Sequence, residues 1–280
     1  MNNPVFSYRY PHPAVTADCV IFGFDGSALK ILLIERGIEP FKGLWALPGG
    51  FMRIDETVDE TARRELHEET GLTNIYMEQF RVFSDVNRDP RERVITVAFI
   101  ALVKPSDYEL VAGDDASNAL WFDENLLPPL AFDHHEIIVQ AREFLCEMLR
   151  LKPAAFELLN TVFSLSELQK VYEVINRTHY DRRNFQRKAL QSGLLEEVDN
   201  PLETLSPSFG IDEDNVQLRA CADTEIDGEC PQDYRSHARS SLPKGRPVTR
   251  HYSIKKLFNK IKNEDNDTDT ESSTRDLFDF

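Results

Sequence analysis

Residues 50–72 read GFMRIDETVDETARRELHEETGL, and this stretch decides the fold of the surrounding chain. Thr57 and Glu60 have the spacing of a capping box, and Gly71 occupies a position where helices commonly end. We therefore predict a helix over 57–70. At ~100° per residue its apolar positions share an arc of ~80° that should pack on a sheet. These positions are Val58, Ala62 and Leu66.

Three glutamates of this helix lie on or beside the apolar arc. Glu69 falls ~20° from its centre, Glu65 ~60° and Glu68 ~120°. Their i, i+3 and i+4 spacing places them close enough to contact one common ligand. Burying like charges together is costly unless a cation compensates, and Mg²⁺ with phosphate is the usual combination. The alternative is a solvated acidic helix face. The glycine turn at 48–50 favours the metal, because glycine lets the backbone approach a phosphate or cation closely.

The same segment resembles the signature of the Nudix hydrolase superfamily, G-x5-E-x7-R-E-U-x-E-E-x-G-U, in which U is aliphatic. Every fixed position is filled, by Gly50, Glu56, Arg64, Glu65, Leu66, Glu68, Glu69, Gly71 and Leu72. The resemblance implies a sheet between helices, with this loop and helix holding Mg²⁺ or Mn²⁺. It implies that Glu65 and Glu69 ligate metal or act as the base, and that Glu68 and the Gly50 carbonyl help to hold the metal. Arg64 would support this catalytic set through an ion pair with Glu56.

Segments rich in β-forming residues flank the helix and complete a first domain, 1–150, as an α/β or α+β sandwich. Asp25–Gly26 is a strong hairpin signal between the first two of them. The predicted strands cover 17–24, 29–36, 75–83, 93–103 and 118–122, and a second helix covers 134–150.

Arginine and aromatic residues around the helix are candidates for phosphate contacts and a base stack, with a packing or surface role as the alternative for each. They are Arg36, Phe41, Trp45, Arg88, Arg91 and Arg93, of which Arg88 is the strongest single candidate. Residues 17–150 resemble a Nudix subgroup linked to ADP-ribose, through CVIFG, LLIERGIEPFKGLWALPGGF, SDVNRDPRERVITVAF and AFDHHEI. Many members of that subgroup are fused to a winged helix, similar to the Nudix-related transcriptional regulators.

The net charge of −16 hides an uneven distribution. Residues 150–192 carry eight Lys and Arg against four Asp and Glu, and residues 235–262 carry nine against none. Residues 196–234 hold twelve acidic residues and one arginine, and residues 263–280 hold seven and one. The two basic blocks predict a surface for an anionic partner such as DNA, although the mean charge alone argues against it.

Residues 154–258 are predicted to form a winged helix-turn-helix domain. Its helices should cover 154–160, 166–176 and 181–192, with N-caps at Ser166 and Asp181 and a stop at Gly193. The segment KGRPVTRHYSIKK resembles the family's wing. The candidate contacts to a double-stranded DNA operator are Arg182, Arg183, Arg187, Lys188, Lys244, Arg246 and Arg250. The alternative is a basic helix pair that serves dimerisation.

Two acidic stretches, the insertion at 199–234 and the tail at 263–280, are predicted to be disordered. The insertion separates the basic helix from the wing, which follows closely in the family. We hypothesise that it competes with DNA for the basic surface. Deleting 199–234 should then tighten DNA binding, and an unchanged affinity would contradict the idea.

Composition narrows the class of protein further. Hydrophobic residues make up 41% of the chain, which is enough for real cores. No apolar run approaches the roughly 18–20 residues of a membrane helix, and the start MNNPVFSYRYPHP lacks the apolar stretch of a secretion signal. We expect a cytoplasmic protein without membrane contact. The four cysteines form no CxxC pair, so a zinc site is not expected.

Three functional hypotheses follow. The first is a Mg²⁺-dependent hydrolase of ADP-ribose or a related nucleotide that also binds DNA as a regulator. The second is a repressor that senses ADP-ribose or a sugar without useful catalysis. The third is a hydrolase whose carboxyl-terminal half only dimerises or docks a partner. A homodimer is expected by analogy, because palindromic operators require paired winged helices.

Overall fold

A computed structural model describes residues 8–105, 116–198 and 250–254. Its amino-terminal part is a seven-stranded mixed sheet with helices on both faces, which confirms the predicted sandwich. The elements are β1 (Ala14–Phe24), β2 (Leu29–Arg36), β3 (Trp45–Ala46), β4 (Gly49–Phe51), α1 (Val58–Thr70), β5 (Tyr76–Phe83), β6 (Val94–Val103), β7 (Ala116–Asp123) and α2 (His134–Leu151). Each strand and helix predicted for this part corresponds to one of them.

Strand β1 lies at the centre of the sheet. It pairs in parallel with β6 and antiparallel with β2 and β4, within the order β3-β2-β1-β6-β5, and β7 pairs with β2. Side chains alternate between the two faces of a strand. Cys19 and Ile21 therefore belong to the core on the α1 face, whereas Val20 and Phe22 belong to the core on the α2 face.

Helix α1 begins and ends as the sequence predicts. The Thr57 side chain accepts a hydrogen bond from the Glu60 amide (3.2 Å), and the Glu60 carboxylate accepts one from the Thr57 amide (2.8 Å). Gly71 closes the helix at φ 76°, in the left-handed region that glycine adopts without strain. Ala62 and Leu66 are buried, so the helix presents its predicted face to the sheet.

The carboxyl-terminal part is a winged helix. A 3-10 helix (Ala154–Leu158) precedes β8 (Phe163–Ser164), α3 (Leu165–Asn176), α4 (Arg182–Gln191), β9 (Leu195–Val198) and β10 (His251–Ile254). The three strands form an antiparallel sheet in the order β8-β10-β9. One continuous apolar cluster runs from the α2 face of the first sheet into this domain, through residues such as Leu145, Leu168, Tyr172 and Phe185.

Two local predictions in this domain were wrong. The helix expected over 154–160 is a short 3-10 helix that ends at Leu158, because Leu159 adopts an extended backbone and its amide bonds back three residues, to the Phe156 carbonyl. The N-cap of α3 is Ser164, which forms a capping box with Glu167, and is not Ser166. Asp181 caps α4 and Gly193 follows it at positive φ, both as predicted.

Several sequence predictions lie outside the described residues. They are the acidic insertion at 199–234, the tail at 263–280, and the wing residues Lys244 and Arg246. Within the described ranges, no helix combines the length and the apolar character that a membrane crossing demands.

Candidate functional site

Two glycines bring strand β4 against both β1 and helix α1. Gly49 pairs with Asp18 and Gly50 pairs with Ala17 across the two strands. A Cβ on Gly49 would lie 2.3 Å from the Ala17 carbonyl oxygen, and one on Gly50 would lie 2.4 Å from Glu65 Oε1. A Cβ on Gly49 would clash with the backbone of β1 and one on Gly50 with the Glu65 carboxylate, so the glycines let that carboxylate lie directly against the β4 backbone.

Arg64 organises the carboxylates of α1. Its guanidinium donates to Glu56 at 2.6 and 2.9 Å, which confirms the predicted supporting pair. The same group donates to Glu65 at 2.7 Å and to Glu68 at 3.0 Å. The hydrogen bonds from Arg64 lower the pKa of Glu56 to about 2, so this pair is charged at any physiological pH.

Glu69 is held against β4 by the Gly49 amide, which donates to its carboxylate at 2.8 Å. Burial raises the pKa of Glu69 to about 8, and the charges of Glu65 and Asp18 add to the effect. Burial also raises the pKa of Glu65. Glu68 stays exposed, so the burial of the three glutamates follows the order of their predicted helical angles.

A divalent cation fits this donor set. The Glu65 and Glu69 carboxylates converge on the Gly49–Gly50 backbone, and oxygen ligands with like charge are what Mg²⁺ and Mn²⁺ accept. Within the part of the chain that the structure describes, no three His, Cys, Asp or Glu side chains already form a metal cage. Arg64 instead bridges Glu65 and Glu68, so metal binding would require their carboxylates to turn.

A buried ionic network lies at the floor of the same cleft, which has a volume of about 340 Å³. Arg88 donates to Asp133 at 2.9 and 2.8 Å and to Asp18 at 3.4 Å. His134 lies 4.0 Å from Asp18 and accepts a hydrogen bond from the Leu47 amide. Burial lowers the pKa of His134, so its ring is neutral and suited to that acceptor role.

A second end of the cleft combines rings with guanidinium groups. The guanidinium of Arg91 lies 4.9 Å from the ring centre of Phe51 and 5.5 Å from that of Phe132, and Arg36 lies 4.9 Å from the Phe132 ring. Arg91 also donates a hydrogen bond to the Asp89 carboxylate, at 2.6 Å. Cation–aromatic contacts of this kind fix both partners without neutralising the charge.

Three of the six predicted ligand residues line the cleft and three do not. Arg36, Arg88 and Arg91 line the cleft. Trp45 does not, since it packs against Phe122 in the core of the α2 face, and Arg93 donates to the backbone carbonyls of Ser84, Asp85 and Val94. Phe41 touches the cleft only through its edge-to-face contact with Phe132.

Among the residues that sequence reasoning missed are Asp18, Phe132 and His134, which line the cleft, and Asp133, which pairs with Arg88. Phe132, Asp133 and His134 fall in AFDHHEI, one of the segments on which the family resemblance rests, but the resemblance assigned no role to these three residues. The sequence around Asp18 gave no sign of a functional role. Asp18 is a lone acidic residue in an apolar strand, and its partner Arg88 lies seventy positions away in the chain.

Helix α4 exposes the predicted basic surface. Phe185 and Ala189 are buried against α3, and Phe185 lies 5.7 Å from the Tyr172 ring. Arg183 and Arg187 project from the opposite side of the helix, where both are exposed. Arg182 is also exposed and Lys188 is half-buried. In the adjacent wing, Arg250 is exposed and lies 3.4 Å from Glu197.

Comparisons with known proteins identify the families of both the amino-terminal and the carboxyl-terminal domain. Residues 12–141 match the NUDIX domain family, and residues 155–204 match the NrtR DNA-binding winged helix domain. The ADPR responsive transcriptional repressor NtrR of Acinetobacter baylyi is 36% identical over 193 residues, which cover 68% of this chain and 77% of the relative. An ADP-ribose pyrophosphatase of Methanocaldococcus jannaschii is 51% identical over 132 residues, or 47% of this chain and 75% of that protein.

Solved structures extend the likeness across both domains. The crystal structure of Shewanella oneidensis NrtR superposes with a TM-score of 0.59 at 34% identity, covering 66% of this chain and 87% of that one. Its complex with a 27mer DNA gives a TM-score of 0.56 at 32% identity, with coverages of 67% and 89%. The chain therefore belongs to the Nudix family, in the branch that carries an NrtR-type winged helix behind the Nudix domain.

Proposed function

We propose that this protein is a transcriptional regulator whose Nudix domain binds ADP-ribose, or a related nucleoside diphosphate derivative, and hydrolyses it with Mg²⁺ or Mn²⁺. The observation that carries the proposal is the convergence of Glu65 and Glu69 on the Gly49–Gly50 backbone, in a cleft that five arginines also line. Relatives named for an ADP-ribose response and for ADP-ribose hydrolysis support the ligand.

The residues divide the chemistry between them. A bound divalent cation would neutralise the diphosphate and favour an attacking hydroxide. Glu69 is fixed by the Gly49 amide and has a raised pKa, so once a bound cation favours its deprotonated form, its carboxylate would be basic enough to accept a proton from the attacking water. Arg64 orients Glu65 and Glu68, and Arg36 and Arg91 bind the phosphates. With ADP-ribose the products would be AMP and ribose 5-phosphate.

The winged helix supplies the second function. Helix α4 presents Arg182, Arg183 and Arg187 to solvent, and a helix with this charge can enter the major groove with its arginines on phosphates. Lys188, Arg250 and the wing lysine and arginine at 244 and 246 complete the proposed DNA surface. The DNA-bound relative supports this assignment. A homodimer on a palindromic operator stays a prediction.

A second candidate is a sensor that binds the ligand without cutting it. The observation in its favour is the bridge from Arg64 to Glu65 and Glu68, which occupies two of the carboxylates that a metal needs. Incubation with ADP-ribose and Mg²⁺ separates the candidates. AMP and ribose 5-phosphate that form with the wild type and vanish with Glu69→Gln establish the enzyme, whereas tight binding without turnover in either protein establishes the sensor.

The third candidate, a hydrolase with a docking domain, is tested on α4. Arg183→Glu with Arg187→Glu should abolish binding to operator DNA and leave ADP-ribose turnover unchanged. DNA binding that survives both reversals would remove α4 from the DNA surface.

A further inference from the structure

The carboxyl end of helix α3 is held by side chains of helix α2, which belongs to the Nudix domain. The last carbonyl groups of a helix have no partner within the helix and need one from elsewhere. Arg142 Nη2 donates to the Val174 carbonyl at 3.1 Å, and the Cys146 thiol donates to the Ile175 carbonyl at 3.3 Å. A cation is also favoured here, because it meets the negative end of the helix dipole. The Nudix domain therefore completes a helix of the DNA-binding domain.

Glu124 fixes Arg142 to the seven-stranded sheet of the Nudix domain. Its carboxylate accepts a hydrogen bond from Arg142 Nε at 2.7 Å, and its amide donates to the Leu29 carbonyl of β2 at 3.1 Å. The same carboxylate lies 3.6 Å from Nη2 of Arg177, the residue that ends α3 with a φ of 48°. One carboxylate of the Nudix domain thus contacts two arginines, one that caps α3 and one that begins the turn after it.

The turn after α3 transmits this position to α4. Glu173 Oε1 accepts a hydrogen bond from the Tyr180 amide at 3.0 Å, and Gln169 Nε2 donates to the Tyr180 carbonyl at 3.0 Å. The backbone of Tyr180 is therefore bonded to α3 on both sides, two residues before α4 begins. The buried Phe185 of α4 also lies 5.7 Å from the Tyr172 ring of α3. A shift of the carboxyl end of α3 would therefore move α4 with it.

Stability alone does not explain the pair of Glu124 and Arg142. The Glu124 side chain is 6% exposed and that of Arg142 is 11% exposed, so both charges have lost most of their hydration. For a buried pair this loss often exceeds the attraction, and two apolar residues of similar volume often serve stability as well or better. The pair instead fixes one geometry, because the planar guanidinium meets the Glu124 carboxylate and the Val174 carbonyl at the same time.

We propose that Arg142, held by Glu124, is a positioning residue for DNA recognition, which from the Nudix domain sets the place of α4 and of its exposed arginines. The inference rests on the proposed function, because it requires that α4 binds DNA. Arg142 acts through α3 and does not itself contact DNA. The DNA-binding unit then extends beyond the winged helix and includes helix α2 and the turn after β7.

The test compares two duplexes of equal length, one that the wild-type protein selects from a random pool and one of random sequence. The full-length variant carries Glu124→Met and Arg142→Met together, which removes both buried charges and keeps unbranched side chains. Binding to the selected duplex should weaken about tenfold, within the roughly 5–150-fold range of coupled sites. Binding to the random duplex should stay within about twofold, because the exposed α4 arginines still meet phosphates.

Three further measurements on the double variant separate positioning from DNA contact and from folding. The slope of log affinity against log salt should not change, whereas the loss of an arginine that contacts a phosphate lowers it by about one. The melting temperature should equal or exceed that of the wild type, as expected when apolar residues replace a buried ion pair. The affinity for ADP-ribose should not change, since neither residue lines the cleft.

Single variants supply the matched comparisons. Arg142→Lys keeps a charge near the end of α3 but cannot meet both oxygens as the guanidinium does, so it should lose less affinity for the selected duplex than the double variant. Arg81→Gln removes an exposed arginine that also donates to α2, through Gln140, and should leave the affinity for both duplexes unchanged.

Each contrary result has a separate meaning. If the double variant binds the selected duplex as tightly as the wild type, or loses affinity for both duplexes equally, the inference fails and the proposed function stands. A large fall in its melting temperature also contradicts the inference, because the pair would then serve stability. If the wild type selects no sequence and binds neither duplex, the DNA-binding part of the proposed function fails, and the inference fails with it.

Discussion

The guanidinium of Arg88 donates two hydrogen bonds to the carboxylate of Asp133, from Nε to Oδ2 at 2.9 Å and from Nη2 to Oδ1 at 2.8 Å. Asp133 is the N-cap residue of α2, yet its side chain makes no capping hydrogen bond. Arg88 in the cleft thus binds a carboxylate that could otherwise cap the amino terminus of helix α2. Further along α2, Arg142 donates to the Val174 carbonyl of α3 at 3.1 Å, so the helix joins the cleft to the DNA-binding domain.

This pair leads to a prediction about ligand response. A phosphate that reaches Arg88 competes with Asp133 and frees its carboxylate to cap α2. Asp133→Asn removes the competition, so ADP-ribose should bind more tightly and change DNA affinity by less than about twofold, against the 5–150-fold typical of coupled sites. Operator titrations with and without ADP-ribose measure the ratio. Glu136→Gln, on the exposed side of the same first turn, is the control, and an undiminished response in Asp133→Asn would contradict the prediction.

The raised pKa of Glu69 predicts how folding stability changes with pH. In the unfolded chain its pKa is near 4.5, and in the folded protein it is about 8. Between these values the folded state binds more protons, so its free energy of unfolding falls as pH rises through this window. Glu69→Gln should remove this component. Urea denaturation in EDTA at pH 5, 7 and 9 should therefore show that the free energy of unfolding of the variant rises relative to that of the wild type as the pH increases. If the two free energies keep the same difference at all three pH values, Glu69 is not buried and protonated.

Metal binding should show the opposite pH dependence. A divalent cation at Glu65 and Glu69 competes with the proton on Glu69, so Mg²⁺ should raise the melting temperature more at pH 8.5 than at pH 6. Removal of the metal with EDTA should reverse the gain. Calorimetry with Glu65→Gln, Glu69→Gln and the wild type checks it. A gain that both variants retain would place the metal elsewhere.

The docking of α4 depends on one ring. Phe185 is fully buried and lies 5.7 and 5.8 Å from the rings of Tyr172 and Tyr180. Phe185→Ala should lower the free energy of unfolding by about 3–5 kcal/mol and weaken DNA binding. Leu190→Ala, exposed on the same helix, should stay within about 0.5 kcal/mol of the wild type. Equal losses in both variants, measured by denaturant unfolding, would argue against this packing.

The proposed contact of α4 with DNA phosphates can be tested by varying the salt concentration. Arg187→Ala should weaken binding to operator and random DNA alike, and lower the slope of log affinity against log salt by about one. A loss confined to one base position of the operator would instead assign Arg187 to base readout.

Sequence patterns predicted the features that depend on near neighbours. The capping box of Thr57 and Glu60, the glutamate burial order and the Arg64–Glu56 pair all lie within one helix and its entry turn. The N-cap of α3 was misplaced because two serines compete locally. Ser164 is selected by a distant contact, since Phe163 pairs with Tyr252 and keeps the chain extended up to the cap.

The cleft floor could not be predicted for the same reason. Asp18, Arg88 and Asp133 come from three segments far apart in the chain, and their meeting depends on how β1, the loop before β6 and α2 pack. The prediction that Trp45 contacts the ligand was wrong. Trp45 lies in a glycine-rich segment, and nothing in that segment indicates that the two-residue strand β3 directs its side chain into the core. Local spacing identifies a helix face, but it does not identify the partner across the sheet.

The register of the wing has one further consequence. Val198 pairs with His251, so the wing closes over the segment 199–250 where a hairpin would close over a few residues. By loop-closure entropy, bringing such distant ends together costs about 2 kcal/mol more than closing a four-residue turn. Strand β10 should therefore be the last element to join during folding and the first to leave under stress. A protease cut between the two strands should therefore release it, and the Nudix domain should keep its fold while the protein loses Arg250 from the proposed DNA surface.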